Sequence, residues 1–168
     1  MGQIQRILKD SGADVKWDTW EKFHVTLKFL GDIDSSNVDL LVREVRNSIG
    51  GFSSFDLAFS MLGAFPNVHR PRVVWIGGEE NKSTLDLQQL VEEACLKCGF
   101  AKEDRRFHAH VTLGRVKSDR NSDRLTARLK SITFQPLMAR CTEVRLMRSE
   151  LKPTGSVYTL LNSIPLAS

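Results

Sequence analysis

The sequence has 168 residues, of which 41% are hydrophobic and 26% are charged. This balance excludes an intrinsically disordered chain and predicts one folded domain over residues 1–168 with a sizeable core. No apolar run approaches the roughly 20 residues that a membrane-spanning helix needs, and the N-terminal segment lacks the apolar core of a secretory signal. We therefore expect a cytoplasmic protein that does not associate with membranes.

The net charge of +4 is concentrated in the second half of the chain. Residues 1–84 carry 10 Lys and Arg against 11 Asp and Glu, whereas residues 85–168 carry 14 against 9. This excess of basic residues fits a polyanionic ligand such as RNA or a phosphoester, and it fits a merely solvated surface equally well.

Helical and extended patterns alternate along the first half of the chain. Residues 2–9 have the spacing of a short helix. A second helix is predicted over Ser35–Ile49, with Ser35 or Ser36 as its cap and Gly50–Gly51 as its stop. Strands are predicted at Val15–Trp17, Phe23–Leu30, Phe55–Leu62 and Arg72–Ile76.

The second half continues the mixture of helices and strands. Helices are predicted over Ser83–Cys98 and Asp119–Lys130, and strands over His108–Val116, Thr133–Met138, Glu143–Ser149 and Ser156–Leu161. Several strands follow one another directly, which favours an α+β fold with largely antiparallel sheets. The odd number of cysteines argues for reduced thiols, and the single Cys95–Cys98 pair near a helix end is expected to serve packing.

The most informative feature is a repeated tetrapeptide. His24-Val25-Thr26-Leu27 recurs as His110-Val111-Thr112-Leu113 in a chain with only four histidines. Each copy lies in a predicted strand and precedes a predicted helix, which suggests two similar half-units. Because alternate residues of a strand share a face, each histidine lies on the same side as its threonine.

Two imidazoles and two hydroxyls in one cleft suit phosphodiester chemistry. A neutral imidazole can take a proton from an attacking water, while an imidazolium protonates the departing ribose oxygen. Threonine hydroxyls can hold the non-bridging phosphate oxygens. A single copy would indicate only a half-buried strand, and a zinc site is disfavoured because each strand supplies one good ligand. His108, which shares strand parity with His110, is expected at the strand entry or the cleft wall.

At these residues the chain resembles the two-histidine phosphoesterase superfamily, and within it the RNA 2′,3′-cyclic phosphodiesterases, long labelled 2′-5′ RNA ligases. The resemblance runs from about residue 4 to the C-terminus. It includes further segments in family order: Val15–Trp17, Phe23–Gly31, Leu62–Pro66, Arg70–Trp75, Phe107–Val116 and Arg148–Leu151.

The resemblance implies two pseudo-symmetric lobes of antiparallel sheet with outer helices, facing each other across a central cleft. It also implies hydrolysis of a 2′,3′-cyclic phosphate to a 2′-phosphate, with ATP-independent 2′-5′ joining as a reversible side reaction. The paired-imidazole chemistry itself needs no metal or other cofactor, and we expect the substrates to be RNA ends or small cyclic nucleotides. The family picture makes His24 the acid and His110 the base. It implies that four further residues bind substrate: Thr26, Thr112 and Arg115 at phosphate, and Phe29 at the nucleobase.

Three points qualify these expectations. Strand parity puts Phe29 and Arg115 on the face opposite their histidines, so a bulge or a strand end is needed to turn them. Ala109 stands where the family commonly has proline, and the family's first strand is missing, so one sheet is expected to lack a strand. A physiological ATP-independent 2′-5′ RNA ligase and an inactive RNA-end binding module therefore stay open as alternatives, and the oligomeric state is left open.

Overall fold

The computed structural model describes residues 1–153 and 155–168, and it has mixed helices and antiparallel sheets. The predicted α+β class is therefore confirmed. The chain divides into two compact units. Unit 1 comprises Met1–Thr26, Ala58–Glu79 and His108–Met138, and unit 2 comprises Leu27–Leu57, Glu80–Phe107 and Ala139–Ser168.

The helices and strands follow one another in this order. The elements are α1 (Gly2–Lys9), β1 (Val15–Trp17), α2 (Val38–Ile49), β2 (Phe55–Phe59), β3 (Met61–Phe65), β4 (Val73–Gly77), α3 (Lys82–Lys97), β5 (His110–Val116), α4 (Ser122–Ser131), β6 (Leu137–Cys141), β7 (Glu143–Lys152) and β8 (Gly155–Pro165). Single 3₁₀ turns lie at Trp20–Lys22 and Ser35–Asn37. Within the described parts of the chain, no helix combines the length and the apolar composition that crossing a bilayer requires.

Unit 1 is built on a four-stranded antiparallel sheet with the order β1-β5-β4-β3. One face of this sheet carries Val74, Ile76 and Leu113, which are fully buried. Helices α1 and α4 contribute further buried leucines, Leu8 and Leu125, to the unit. The opposite face is therefore the one on which polar side chains can meet a ligand.

Unit 2 has its core between α2 and α3. Leu41, Val45 and Ile49 of α2 pack with Leu87 and other residues of α3, including the buried thiol Cys95. The Cys95–Cys98 pair thus lies at a packed helix end, as predicted. Strands β7 and β8 form a hairpin in this unit, and both are longer than the sequence pattern indicates.

Several predicted boundaries are wrong for physical reasons. The predicted strand Phe55–Leu62 is two strands, since β2 pairs with β6 whereas β3 pairs with β4, and the alternation of apolar residues does not reveal a change of partner. The predicted strand Thr133–Met138 begins only at Leu137, because Pro136 has no N–H to donate to a neighbouring strand. Neither serine caps α2: the 3₁₀ turn Ser35–Asn37 precedes this helix, and the carboxylate of Asp34 caps the turn by accepting from the Ser36 N–H.

The predicted strand Phe23–Leu30 is also wrong. Its described backbone forms one isolated antiparallel bridge, Val25 to Val111, and no ladder. Leu27 and Leu30 instead pack against the core of unit 2. The apolar spacing of Leu27 and Leu30 therefore indicates that these side chains are buried and not that the segment pairs as a strand. The lack of a family strand and the arrangement of two lobes around a cleft stay predictions.

Candidate active site

The two copies of the repeated motif meet in unit 1. Val25 pairs with Val111 in an antiparallel bridge. In such a pair the flanking residues all point to the face opposite the two valines, and directly opposed Cα atoms are about 5 Å apart. The two copies of the motif therefore meet at their valines, and His24 lies close enough to His110 to act on it electrostatically.

Both histidines are held by the same backbone contact. Nδ1 of His24 lies 2.6 Å from the carbonyl oxygen of Lys22, and Nδ1 of His110 lies 2.7 Å from the carbonyl oxygen of His108. A carbonyl oxygen can only accept, so each Nδ1 carries a proton and donates it. In the neutral ring this leaves Nε2 as the basic nitrogen, and in the cation Nε2 becomes a donor.

A β-bulge turns Arg115 towards the same face. Val73 pairs with Arg115, and Trp75 pairs with Thr112. The two residues on β4 are two positions apart, whereas their partners on β5 are three positions apart. The register shift leaves Leu113 without an opposed residue and reverses the alternation beyond it. Arg115 therefore lies on the same face as Thr112. This is the bulge that the sequence spacing of Arg115 and His110 requires if both are to face one ligand.

An aromatic wall surrounds His110. The Phe65 ring meets it edge-on with centroids 4.9 Å apart, and the Trp75 indole lies 6.2 Å away. The His108 ring packs on Trp75 at 4.8 Å and lies 6.2 Å from His110. Gly77 leaves room for this arrangement, since a Cβ there would lie 3.2 Å from Cε1 of His108.

The wall and the neighbouring charges lower the pKa of His110. Burial has the largest effect and lowers it below the ordinary value, although the hydrogen bond to the His108 carbonyl acts in the opposite direction. Electrostatic interactions with His108, His24 and Arg115 lower the pKa of His110 further. His110 is therefore neutral at pH 7, with a basic Nε2. His24 is exposed, whereas Thr26 and Thr112 are half-buried.

Phe29 belongs to unit 2 and is 77% exposed. It lines a pocket of about 280 Å³ together with Lys28, Phe100, Lys102 and other residues of that unit. Its role at a nucleobase stays a prediction. The exposed ring is available for stacking, which is the property that the prediction needs.

The neighbour of Phe29, Lys28, fixes this segment to α3. Its Nζ donates to Glu92 at 2.6 Å and to the Ala101 carbonyl at 2.8 Å, and both charged side chains are more than 90% buried. Glu92 also accepts from the Glu103 N–H at 2.9 Å. Burial raises the pKa of Glu92, but the hydrogen bonds from Lys28 and Glu103 outweigh it, so the pKa lies below its ordinary value.

Sequence reasoning missed most of the support around the histidines. The sequence shows Phe65 and Trp75 only as parts of segments that resemble the family, and nothing in a sequence marks the carbonyl groups that orient the rings. The one usable signal was His108, which precedes His110 by two positions. Among the described residues, no group of three or more His, Cys, Asp or Glu side chains is arranged to hold a metal ion.

Known proteins resemble the chain in sequence over nearly its whole length. The sequence profile of the 2′-5′ RNA ligase superfamily matches residues 4–153. An RNA 2′,3′-cyclic phosphodiesterase of Methanothermobacter thermautotrophicus is 37% identical over 160 residues, which cover 95% of this chain and 86% of that protein. A protein of the same name from Aeropyrum pernix is 34% identical over 174 residues, covering 100% and 97%.

Solved structures share the fold at lower identity. Escherichia coli LigT complexed with 3′-AMP superposes with a TM-score of 0.73 at 20% identity, covering 100% of this chain and 94% of that one. A Thermus thermophilus protein gives a TM-score of 0.76 at 22% identity, covering 99% and 93%. At these identities the similarity supports the fold alone.

Proposed function

Because the chain belongs to the 2′-5′ RNA ligase superfamily, we propose that it hydrolyses 2′,3′-cyclic phosphates to 2′-phosphates, at RNA ends or on small cyclic nucleotides. The proposal assigns this reaction to residues 1–168 as one functional domain in the cytoplasm, acting without a metal ion. The observation that supports it is the antiparallel bridge between Val25 and Val111, which joins the two copies of the motif. In the proposed site the two histidines and the two threonines share the face opposite these valines. The names of the similar proteins support the choice of substrate.

The reaction needs one proton acceptor and one proton donor. A water oxygen attacks phosphorus and forms a new P–O bond while its proton passes to the base. The P–O3′ bond breaks, and the acid protonates O3′ as it leaves, so the 2′-phosphate and a 3′-hydroxyl result. His110 is the base in this proposal, because its lowered pKa keeps Nε2 unprotonated at neutral pH. His24, on the solvent side, is the acid.

The threonines act on the phosphate itself. The hydroxyls of Thr26 and Thr112 donate to the non-bridging oxygens, whose negative charge grows as the fifth oxygen approaches phosphorus. Arg115 adds a fixed positive charge on the same face. Neither role requires the side chain to change its protonation state.

Substitution of either histidine tests the assignment. In EDTA, H24A and H110A are expected to hydrolyse 2′,3′-cyclic AMP about 10²–10⁴ times more slowly than the wild type, the usual contribution of a general acid or base. H69A is the matched control, because His69 lies in a loop of unit 1 and contacts Lys130. Wild-type turnover in either site variant, or loss of wild-type turnover in EDTA, would refute the proposal.

The same residues can promote transfer of the cyclic phosphate to an alcohol as well as to water. A ribose 5′-hydroxyl in place of water would open the cyclic phosphate by forming a 2′-5′ bond, which is the activity that the superfamily's description names. Measuring joining and hydrolysis with one cyclic-phosphate oligonucleotide decides which dominates. Hydrolysis is expected to exceed joining, because water is present in large excess. Tight binding without either reaction would indicate an RNA-end binding module.

A further inference from the structure

Strand β7 of unit 2 has an open edge. Within residues 1–153 and 155–168, it pairs on one side only, with β8. The part of β7 from Met147 to Lys152 also extends beyond the helical core, since each of its residues is exposed. An open edge presents backbone N–H and C=O groups to which another strand can bond. The edge of β7 is therefore a surface to which a further strand can add.

Exposed apolar side chains lie on one face of this part of the hairpin. Met147 and Leu151 share that face with Leu160, because alternate residues and directly opposed residues point to the same side. All three are exposed, Leu151 to 87%. The bulge of the hairpin falls on β8, where Leu161 has no opposed residue, so β7 keeps a regular alternation. Clustered apolar side chains at an open edge are typical of a surface that a protein partner covers.

The sequence of β7 is complementary to itself. When two copies of the strand lie antiparallel with their Ser149 residues opposed, Arg148 of each copy lies opposite Glu150 of the other. The same register places Met147 of each copy opposite Leu151 of the other. Pairs of opposite charge and pairs of apolar side chains both stabilise an antiparallel ladder. Centring the ladder on residue 148 or 150 instead would oppose two arginines or two glutamates, so the charges select one register.

The two charged side chains retain capacity for this partner. Within one chain a guanidinium nitrogen of Arg148 lies 3.7 Å from a carboxylate oxygen of Glu150, and both side chains are about half exposed. An exposed pair at this distance contributes little to stability and uses only part of the hydrogen-bonding capacity of each group. In the antiparallel register each guanidinium gains a second carboxylate, from the other copy. Strand β8 has no charged residue from Gly155 to Pro165, so its edge lacks this selectivity.

We propose that two copies of this chain associate through β7, antiparallel and centred on Ser149, so that their hairpins form one four-stranded sheet. A two-fold contact of one self-complementary edge closes the assembly at two copies. The overlap from Leu146 to Lys152 is short compared with the roughly 20–30 residues that each partner contributes to a stable interface. We therefore expect a reversible dimer with a dissociation constant of about 1–100 µM. The contact involves unit 2 alone and is independent of the proposed reaction.

Sedimentation equilibrium of the full chain at concentrations up to about 500 µM measures the association. R148E opposes carboxylates and E150R opposes guanidinium groups, so each variant is expected to bind itself at least about tenfold more weakly than the wild type. An equimolar mixture of R148E and E150R is expected to recover association, because opposite charges then meet in both pairs. The control is R124E, which makes the same change of charge at an exposed position of α4 in unit 1 and is expected to associate like the wild type.

Disulfide cross-linking tests the register. In the proposed dimer the two copies of residue 149 are directly opposed, with Cα atoms about 5 Å apart, a distance that a disulfide can span. S149C is therefore expected to form a covalent dimer on mild oxidation. T159C, at an exposed position of β8 in the same hairpin, is the matched control and is expected to cross-link no more than the wild type with its native cysteines.

Each measurement has an outcome that overturns the proposal. A wild-type chain that is monomeric throughout the concentration series would show that a second copy does not cover the edge. Wild-type association of both R148E and E150R, or a mixture that associates no better than its components, would show that these charges do not meet across the contact. Equal cross-linking of S149C and T159C would contradict the register. The substitutions are at exposed positions, where effects on stability are small, and urea denaturation of each variant checks this.

Discussion

Gly63 is expected to be indispensable for the aromatic wall beside His110. A Cβ built at this position would lie within 2.6 Å of three carbon atoms of the Trp75 indole, distances at which the ring or the strand must move. The indole is 9% exposed, and its buried Nε1–H has no hydrogen-bond partner among the described residues. Packing therefore holds the ring in place, and a methyl group at residue 63 displaces it.

The magnitude follows from two opposing effects. Overpacking of a well-filled interior costs about 1–3 kcal/mol, whereas replacing glycine by alanine in a strand recovers about 0.5–1 kcal/mol of backbone entropy. We expect G63A to lower the free energy of unfolding by about 1–2 kcal/mol. The displaced indole also moves its neighbour His110, and a misplacement of about 1 Å can cost 10²-fold in rate. A decrease in kcat/KM of at least about tenfold is expected.

Urea denaturation and cyclic-phosphate hydrolysis measure the two effects. G2A is the control, because Gly2 lies in the first turn of α1 with no atom within 4 Å of a built Cβ. The cause is checked in the W75L background, where the six-membered ring is absent and the added methyl group should bring no further loss of stability. Unchanged stability and activity in G63A, or an equal loss in the W75L background, would show that contact with the Trp75 ring does not constrain residue 63.

Three further predictions follow from the hydrogen bonds and the pKa shifts. Because burial lowers the pKa of His110, the acid limb of the pH profile of kcat/KM should lie below about pH 6.5. The free energy of unfolding should also fall as the pH drops below that value, because the imidazole of residue 110 binds a proton more readily in the unfolded chain. H110N should lose this pH dependence of stability. E92Q leaves the buried Lys28 ammonium without its counter-ion, so denaturation should show a loss of about 3 kcal/mol at pH 7, whereas K28M/E92L should lose less. In the wild type the Glu92 carboxylate contributes to the free energy of unfolding at neutral pH, and this contribution is lost as the pH falls through the lowered pKa of Glu92. N81A removes the acceptor of the Thr84 N–H at the start of α3 and should cost about 1 kcal/mol in the same assay, with wild-type stability arguing against the cap.

The sequence anticipated those features that depend on local patterns. The helix at residues 2–9 and the strand Val15–Trp17 agree with the structure in their bounds, and α2 and α3 agree to within three residues. The repeated motif also identified the correct region of unit 1, because the spacing of alternate residues in an extended chain is independent of its partners.

The remainder depends on partners that are distant in sequence. Leu27 has the apolar spacing of a strand residue, yet it packs against the helical core of unit 2. Its segment therefore has the hydrophobic pattern of a strand without forming one. The spacing of Arg115 from His110 indicates that β5 needs a bulge, but only the pairing register with β4 shows that the bulge lies at Leu113. The carbonyl groups of Lys22 and His108 orient the catalytic candidates, and every residue type has such a group. The lack of the family's first strand stays a prediction.

In the proposed mechanism, His24 and His110 act on one phosphate through their Nε2 atoms. The most direct measurement is a titration of ¹⁵N-labelled protein with adenosine 2′-monophosphate, followed by NMR of the imidazole nitrogens. We expect Nδ1 of both rings to be protonated before addition, and Nε2 of both rings to shift along one binding curve with a single dissociation constant. A response from only one ring, or two rings that respond with different dissociation constants, would show that the rings do not act on one phosphate.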